Sequence, residues 1–298
     1  VSVPTPELLD RIVHISDLHF WHVVTNPLRL LSKRFVGNLN VWLYRRHEFI
    51  MSRAEEFAEN VVATGIQVAL MTGDFTSTAN RQEYRMARAF VEGLKHKGLR
   101  IELVPGNHDV YTFHVVRVKR FERTFGEFIP EEGYPALRVL PGGTPLILVP
   151  TVRPNLFSSR GRITDAEVAK VSSLLEQCPE QAIVAGHYPI LDKTYAYNQH
   201  ASHRLENAEA LHRALGTSGR RILYVCGHTH RFSYVQDAQY PYLSHLSTGA
   251  FFRSDPKAGL QGEFAEIHAT RAGFAVYRHT HEKEWSRRAI DIQPLVRD

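Results

Sequence analysis

The sequence predicts an α/β protein, and three observations carry that prediction. Short β-branched apolar runs alternate with segments of helical period, clusters of histidine and aspartate follow successive strand-like runs, and the last quarter turns to alternating strand-like pieces without a long helix. The 298 residues are 43% hydrophobic and 22% charged, ordinary values that exclude a disordered, collagen-like or coiled-coil chain. With no Pro/Ser-rich linker, internal repeat or low-complexity tract, a single domain over 1–298 is expected.

Ile12 to Ser16 reads as the first strand. Ile50, Ala54, Phe57 and Val61 recur at helical spacing until Gly65 stops that helix, and Val68 to Thr72 forms a second buried strand. Tyr84, Ala87, Val91 and Leu94 repeat the helical pattern before a strand at Ile101 to Val104. Further strands follow at Pro145 to Val149, Ala182 to Ala185 and Arg221 to Val225. Thr164 and Glu167 are spaced as a capping box, predicting a helix from there to about Gln177. Phe232 to Val235, Tyr242 to Ser247, Glu263 to His268 and Phe274 to Arg278 read as meandering sheet.

Lysine plus arginine (36) exceed aspartate plus glutamate (31), a net charge of +5 that favours phosphates, anionic lipid heads or nucleic acid without choosing among them. No RNA-recognition or helix-turn-helix pattern is visible and aromatics are not interleaved with a basic stripe, so nucleic acid is not the expected partner. No apolar run is long enough to span a membrane, and the start, Val1-Ser2-Val3-Pro4-Thr5-Pro6, does not resemble a signal peptide. Cys178 and Cys226 lie in unrelated settings, which argues against a disulfide framework and for a reducing, cytoplasmic compartment.

The informative residues are Asp17 and His19 after the first strand, Gly73-Asp74 after the second, and Gly106-Asn107-His108-Asp109 after the third. Gly186-His187 and Gly227-His228-Thr229-His230 follow two later strands. Each histidine alone reads as an ordinary strand-end polar residue; five such clusters at C-terminal strand ends, where open α/β sheets place ligands, read as a metal site. Imidazole and carboxylate without thiolate suit Mn²⁺, Fe or Zn²⁺, and two such cations can activate a water for in-line displacement at phosphorus. His14, His268 and His279 read as strand residues, and His200, His203 and His212 as solvated surface.

In their order and wording these motifs resemble the calcineurin-like metallophosphoesterase superfamily over residues 11 to about 250. The resemblance implies a four-layer α/β/β/α sandwich of two mixed sheets, with the meandering tail completing the second sheet. It implies one metal on Asp17, His19, Asp74 and His230 and another on Asp74, Asn107, His187 and His228, Mn²⁺ being favoured over Fe or Zn²⁺. His108 becomes the acid for the leaving oxygen, and Asp109 either orients His108 or caps the turn.

Between the first cluster and the Ile50 helix, Trp21 to His47 forms a lid-like insert (21–47). It sets Leu28, Leu30, Leu31, Phe35, Val36, Leu39, Val41, Trp42, Leu43 and Tyr44 against Arg29, Lys33, Arg34, Arg45 and Arg46. Two readings stand open, an interfacial element on anionic lipid at the inner face of a membrane and a flap packed on its own domain. Its wording resembles a bacterial branch that includes a UDP-2,3-diacylglucosamine hydrolase of lipid A synthesis. That resemblance implies a phosphate-containing, lipid-linked substrate, with Arg153, Arg160, Arg162 and Arg204 as candidates for phosphate or uridine contacts. A cyclic-nucleotide phosphodiesterase and, from another class, a nucleic-acid-binding protein are the alternatives.

Overall fold

The structure is a computed structural model that describes residues 7–23, 48–155 and 158–295, so nearly all of the predicted insert lies outside the described residues. The chain begins with β1 (Leu8–Ile15), α1 (Ala54–Ala63), β2 (Val68–Met71), α2 (Arg81–His96) and β3 (Arg100–Leu103). It continues through α3 (Phe113–Arg117), α4 (Arg120–Phe125), β4 (Ala136–Val139), β5 (Pro145–Leu148), β6 (Gly161–Arg162), α5 (Asp165–Glu176) and β7 (Gln181–Ala185). Then come β8 (Leu205–Glu206), α6 (Ala208–Gly216), β9 (Arg221–Cys226), β10 (Ser233–Gln236) and β11 (Leu243–Ser247). The chain closes with β12 (Glu263–Thr270), β13 (Gly273–His281), β14 (Trp285–Ile290) and β15 (Gln293–Pro294).

Two mixed sheets result, one ordered β14-β13-β12-β1-β2-β3 and the other β15-β10-β11-β9-β7-β5-β4, with β6 and β8 paired apart from them. Period-2 alternation along the strands builds the layers. Val13, Ile15, Ala69 and Met71 face a core shared with Phe57 and Val61 of α1 and Tyr84, Val91 and Leu94 of α2. Their neighbours Ile12, Val68 and Leu70 face Leu146, Leu148, Ile183, Ala185, Leu223 and Val225 between the sheets. Ile147, Ala182, Val184, Ile222 and Tyr224 point outward to Val171 and Leu175 of α5 and Leu211 and Leu215 of α6. That is the expected helix, sheet, sheet, helix stacking.

The predicted capping box forms: the Thr164 side chain accepts from the Glu167 backbone N–H, and Glu167 reaches back to the Thr164 N–H at the start of α5. Asn80 and Glu83 do the same for α2. Among the described residues no helix is long and apolar enough to cross a membrane. Cys178 and Cys226 are free and buried.

The tail corrects the expectation that it completes the second sheet. Only β10, β11 and β15 join that sheet, whereas β12, β13 and β14 extend the first. The cause is the open edge of β1. Its parallel partner β2 lies on one side, and the backbone groups of the other side pair antiparallel with β12, Ile12 opposite Ile267 and His14 opposite Ala265.

Candidate dinuclear metal centre

The loops after β1, β2 and β3 of one sheet meet the loops after β7 and β9 of the other. Asp17, His19, Asp74, His228 and His230 all adopt left-handed backbone conformations, with φ of 54°, 48°, 55°, 68° and 53°. Such conformations cost on the order of 1–3 kcal/mol each and persist only where surroundings impose them. Here the loops impose them on one another: the Asp17 N–H donates to Gly73 O at 3.0 Å and the His19 N–H to Asp74 O at 2.8 Å. The His228 N–H donates to Asp17 Oδ2 at 3.0 Å, and the His108 N–H to Asp74 Oδ1 at 2.8 Å. Space explains two of the motif glycines. A Cβ on Gly106 would lie 2.1 Å from Asp74 N, and one on Gly227 would lie 1.9 Å from Ser16 Oγ.

All seven predicted ligands, Asp17, His19, Asp74, Asn107, His187, His228 and His230, converge. Asp17, His19, Asp74 and His230 bring ligand atoms within 4.8 Å of one another. Within that group His19 Nε2 lies 2.9 Å from His230 Nε2, and Asp17 Oδ1 lies 3.2 Å from His230 Nε2. Asp74 Oδ2 stands between the two halves, 3.6 Å from His19 Nε2 and 3.5 Å from His187 Nε2. In the second half Asn107 Oδ1 is 3.0 Å from both His187 Nε2 and His228 Nδ1.

Backbone carbonyls decide which ring nitrogens carry hydrogen, because a carbonyl can only accept. The His187 Nδ1–H donates to Thr72 O at 2.7 Å and the His228 Nε2–H to His203 O at 3.0 Å. Burial holds the pKa of both rings below the usual imidazole value, so each is neutral and its other nitrogen is bare. Two bare nitrogens and an amide oxygen thus aim lone pairs at a common point, a donor set that suits a cation. The first half makes the same demand. Burial opposes ionisation of Asp17, yet His230 beside it holds its carboxyl at about 2, and its Oδ1 is buried without a hydrogen bond. The nitrogen and oxygen donor set fits divalent cations, with no thiolate in it.

His108 sits beside this group, its ring centroid 4.9 Å from that of His19. Its Nδ1–H donates to Ser77 O at 2.7 Å, so the expectation that Asp109 orients it is corrected. Asp109 caps the turn instead, accepting from the backbone N–H of Gly106 at 2.9 Å and of Thr76 at 3.0 Å, and thereby ties the Asn107 loop to the Asp74 loop. Burial pushes its carboxyl up to about 6 against those bonds.

A cavity of about 490 Å³ opens above the ligands, floored by Asn107, His108, His228 and His230 and walled by Tyr197, Gln199, His200 and His203. His200 and His203, read from sequence as solvated surface, are therefore at the mouth, and the His203 carbonyl sets the tautomer of a predicted ligand. No periodicity or motif in the sequence marks them. The predicted arginines do not line this cavity. Arg153 pairs with Glu206, Arg204 pairs with Asp192 at 2.8 Å, and Arg162 is exposed on β6.

The profile of the calcineurin-like phosphoesterases matches residues 10–232, so the chain belongs to that family. It is a metal-dependent phosphoester hydrolase with a dinuclear divalent-metal site. Its fold is similar to that of a dimetal phosphatase from Danio rerio, at 13% identity and a TM-score of 0.64, over 96% of this chain and 100% of that one. It is likewise similar to a purple acid phosphatase from yellow lupin seeds, at 11% identity and a TM-score of 0.61, over 97% of this chain and 55% of that one. No curated protein sequence is significantly similar to the chain.

Proposed function

We propose that this phosphoesterase hydrolyses a phosphodiester or pyrophosphate bond in a lipid-linked nucleotide such as UDP-2,3-diacylglucosamine. Asp17, His19, Asp74 and His230 would hold one divalent cation, and Asp74, Asn107, His187 and His228 the other. The carrying observation is the convergence of bare lone pairs from Asn107, His187 and His228 across from the Asp17 group, with Asp74 Oδ2 between. Two cations held there, Mn²⁺ first among candidates, supply Lewis acidity to the phosphoryl oxygens and to an attacking water. The chain's own residues do the rest. Asp17, Asp74, Asn107 and the four histidines would hold those cations beneath the cavity floor, where the phosphate is met. His108, whose Nδ1–H donates to Ser77 O beside the ligands, would act as the general acid in its imidazolium form, giving the Nε2 proton to the leaving oxygen.

The lipid-linked substrate rests on the basic, aromatic sequence of 24–47 and on where its ends stand. Trp21 Nε1–H donates to Phe49 O at 3.2 Å, and the Phe49 ring lies 4.8 Å from the His19 ring, so both feet of the insert stand at the metal centre. The apolar and basic residues of that sequence have the chemistry for acyl chains and for anionic headgroups, the latter at about 1 kcal/mol per basic contact. The test is a screen in Mn²⁺ over UDP-diacylglucosamine, a small soluble diester, a monoester and cyclic AMP. Highest kcat/KM on the acylated substrate is expected; a preference for cyclic AMP would overturn the reading. Replacing Trp42 and Leu43 with serine is expected to raise KM for the acylated substrate and leave the small diester unchanged.

A further inference from the structure

We propose that His212, Asp237 and His245 form a separate divalent-cation site of the zinc class, which ties α6 to the outer face of the second sheet. The three side chains come from different elements: His212 from α6, Asp237 from the turn after β10, and His245 from β11 beside Tyr224 of β9. Both imidazoles aim Nε2 at one oxygen, Asp237 Oδ2, at 2.6 Å from His212 and 2.7 Å from His245. The other carboxylate oxygen accepts the backbone N–H groups of Gln239 at 2.8 Å and Tyr240 at 2.9 Å, which fixes the carboxylate with Oδ2 toward the rings.

Two imidazoles and a carboxylate on one point are a donor set for Zn²⁺ and neighbouring first-row cations. The three groups bring one ligand atom each within 4.8 Å of one another and share no residue with the dinuclear centre. Both Nε2 atoms lie at hydrogen-bond distance from Asp237 Oδ2, and a cation bound there would replace the two ring protons that make those bonds. The His212 side chain is 17% exposed, which leaves a cation a way in and leaves room for water as a further ligand.

The test is a metal count. Chelated full-length protein is reloaded with Zn²⁺, freed of excess by gel filtration and analysed by mass spectrometry of the metal. Wild type is expected to hold one zinc equivalent more than the His212→Gln and His245→Gln variants. Both variants are expected to hydrolyse a small diester at the wild-type rate, and Asp74→Asn is expected to retain this equivalent while losing metal from the dinuclear centre. His212→Gln changes a partly exposed helix residue and reads the site even if His245→Gln fails to fold. Co²⁺ loading gives a second readout, a visible absorption band present in wild type and absent in His212→Gln. Equal zinc content and equal Co²⁺ spectra in wild type and His212→Gln would overturn the proposal and leave a hydrogen-bonded clasp.

Discussion

Asp74 is the side chain whose loss is expected to do most harm, because one of its oxygens faces both halves of the centre and the other accepts the His108 N–H. Asp74→Asn is expected to strip metal from the pair and to cost more than the roughly 10–100-fold typical of residues behind the ligands. His108→Ala is expected to keep the metal and lose about 10²–10⁴ in kcat, the usual worth of a general acid. Metal analysis of both purified variants checks the division; equal metal loss would show that His108 is a ligand. His14 gives a second residue-scale outcome. It is buried on β1 with Nε2 2.9 Å from Thr72 Oγ1, and burial lowers its pKa to about 3. The unfolded chain binds a proton there near the ordinary imidazole value while the fold does not, so stability is lost as pH falls from about 6.5 toward 3. Urea unfolding of the chelated protein is expected to show this slope, and His14→Gln to reduce it by about 1.4 kcal/mol per pH unit in that window.

At the scale of elements, glycines position the site by leaving room for neighbouring loops. A Cβ on Gly227 would also lie 2.4 Å from Asp17 Oδ2, so Gly227→Ala is expected to displace that carboxylate and weaken metal binding by about 10–100-fold with the fold retained. Gly98→Ala is the control. Gly98 adopts φ of 96° with open space around it, so its substitution is expected to cost about 1 kcal/mol of stability and no metal. Circular dichroism melts beside metal counts separate the two. Legibility differs by element for similar reasons. β2 and β7 were readable as short apolar runs, α2 because its apolar positions recur at helical spacing, and α5 because its capping box is local chemistry. The short helices α3 and α4, of five and six residues, hold too few turns to show a stripe, and α6 starts from Asn207 at φ 66° without a side-chain cap. Sheet membership of β12 to β14 was not readable, since alternation marks a strand without naming the edge it will pair with.

Across the whole molecule the metal centre is where the two sheets are joined at one end, with Asp17 and Asp74 contributed from one sheet and His187 and His228 from the other. The residues that converge there were legible because each sits in a short strand-end motif, whereas the mouth was not, since Gln199, His200 and His203 reach it only through the tertiary path of their loop. The joining has a thermodynamic consequence. Lone pairs of Asn107, His187 and His228 face one another across 3.0 Å, and the buried Asp17 Oδ1 lacks a hydrogen bond, so the chelated protein holds uncompensated polar groups that cations relieve. A ligand at 100 times its Kd stabilises a fold by about 2.7 kcal/mol, and in a chain of this size each kcal/mol moves Tm by about 2–4 °C. Chelation is therefore expected to lower Tm by about 5–10 °C for each site emptied, and Mn²⁺ at neutral pH to restore it. Asp74→Asn is expected to erase most of this difference and His108→Ala to preserve it. A wild-type Tm unmoved by chelation would mean that the loops hold their geometry without cations, and would overturn the assignment of these residues as the ligands that join the sheets.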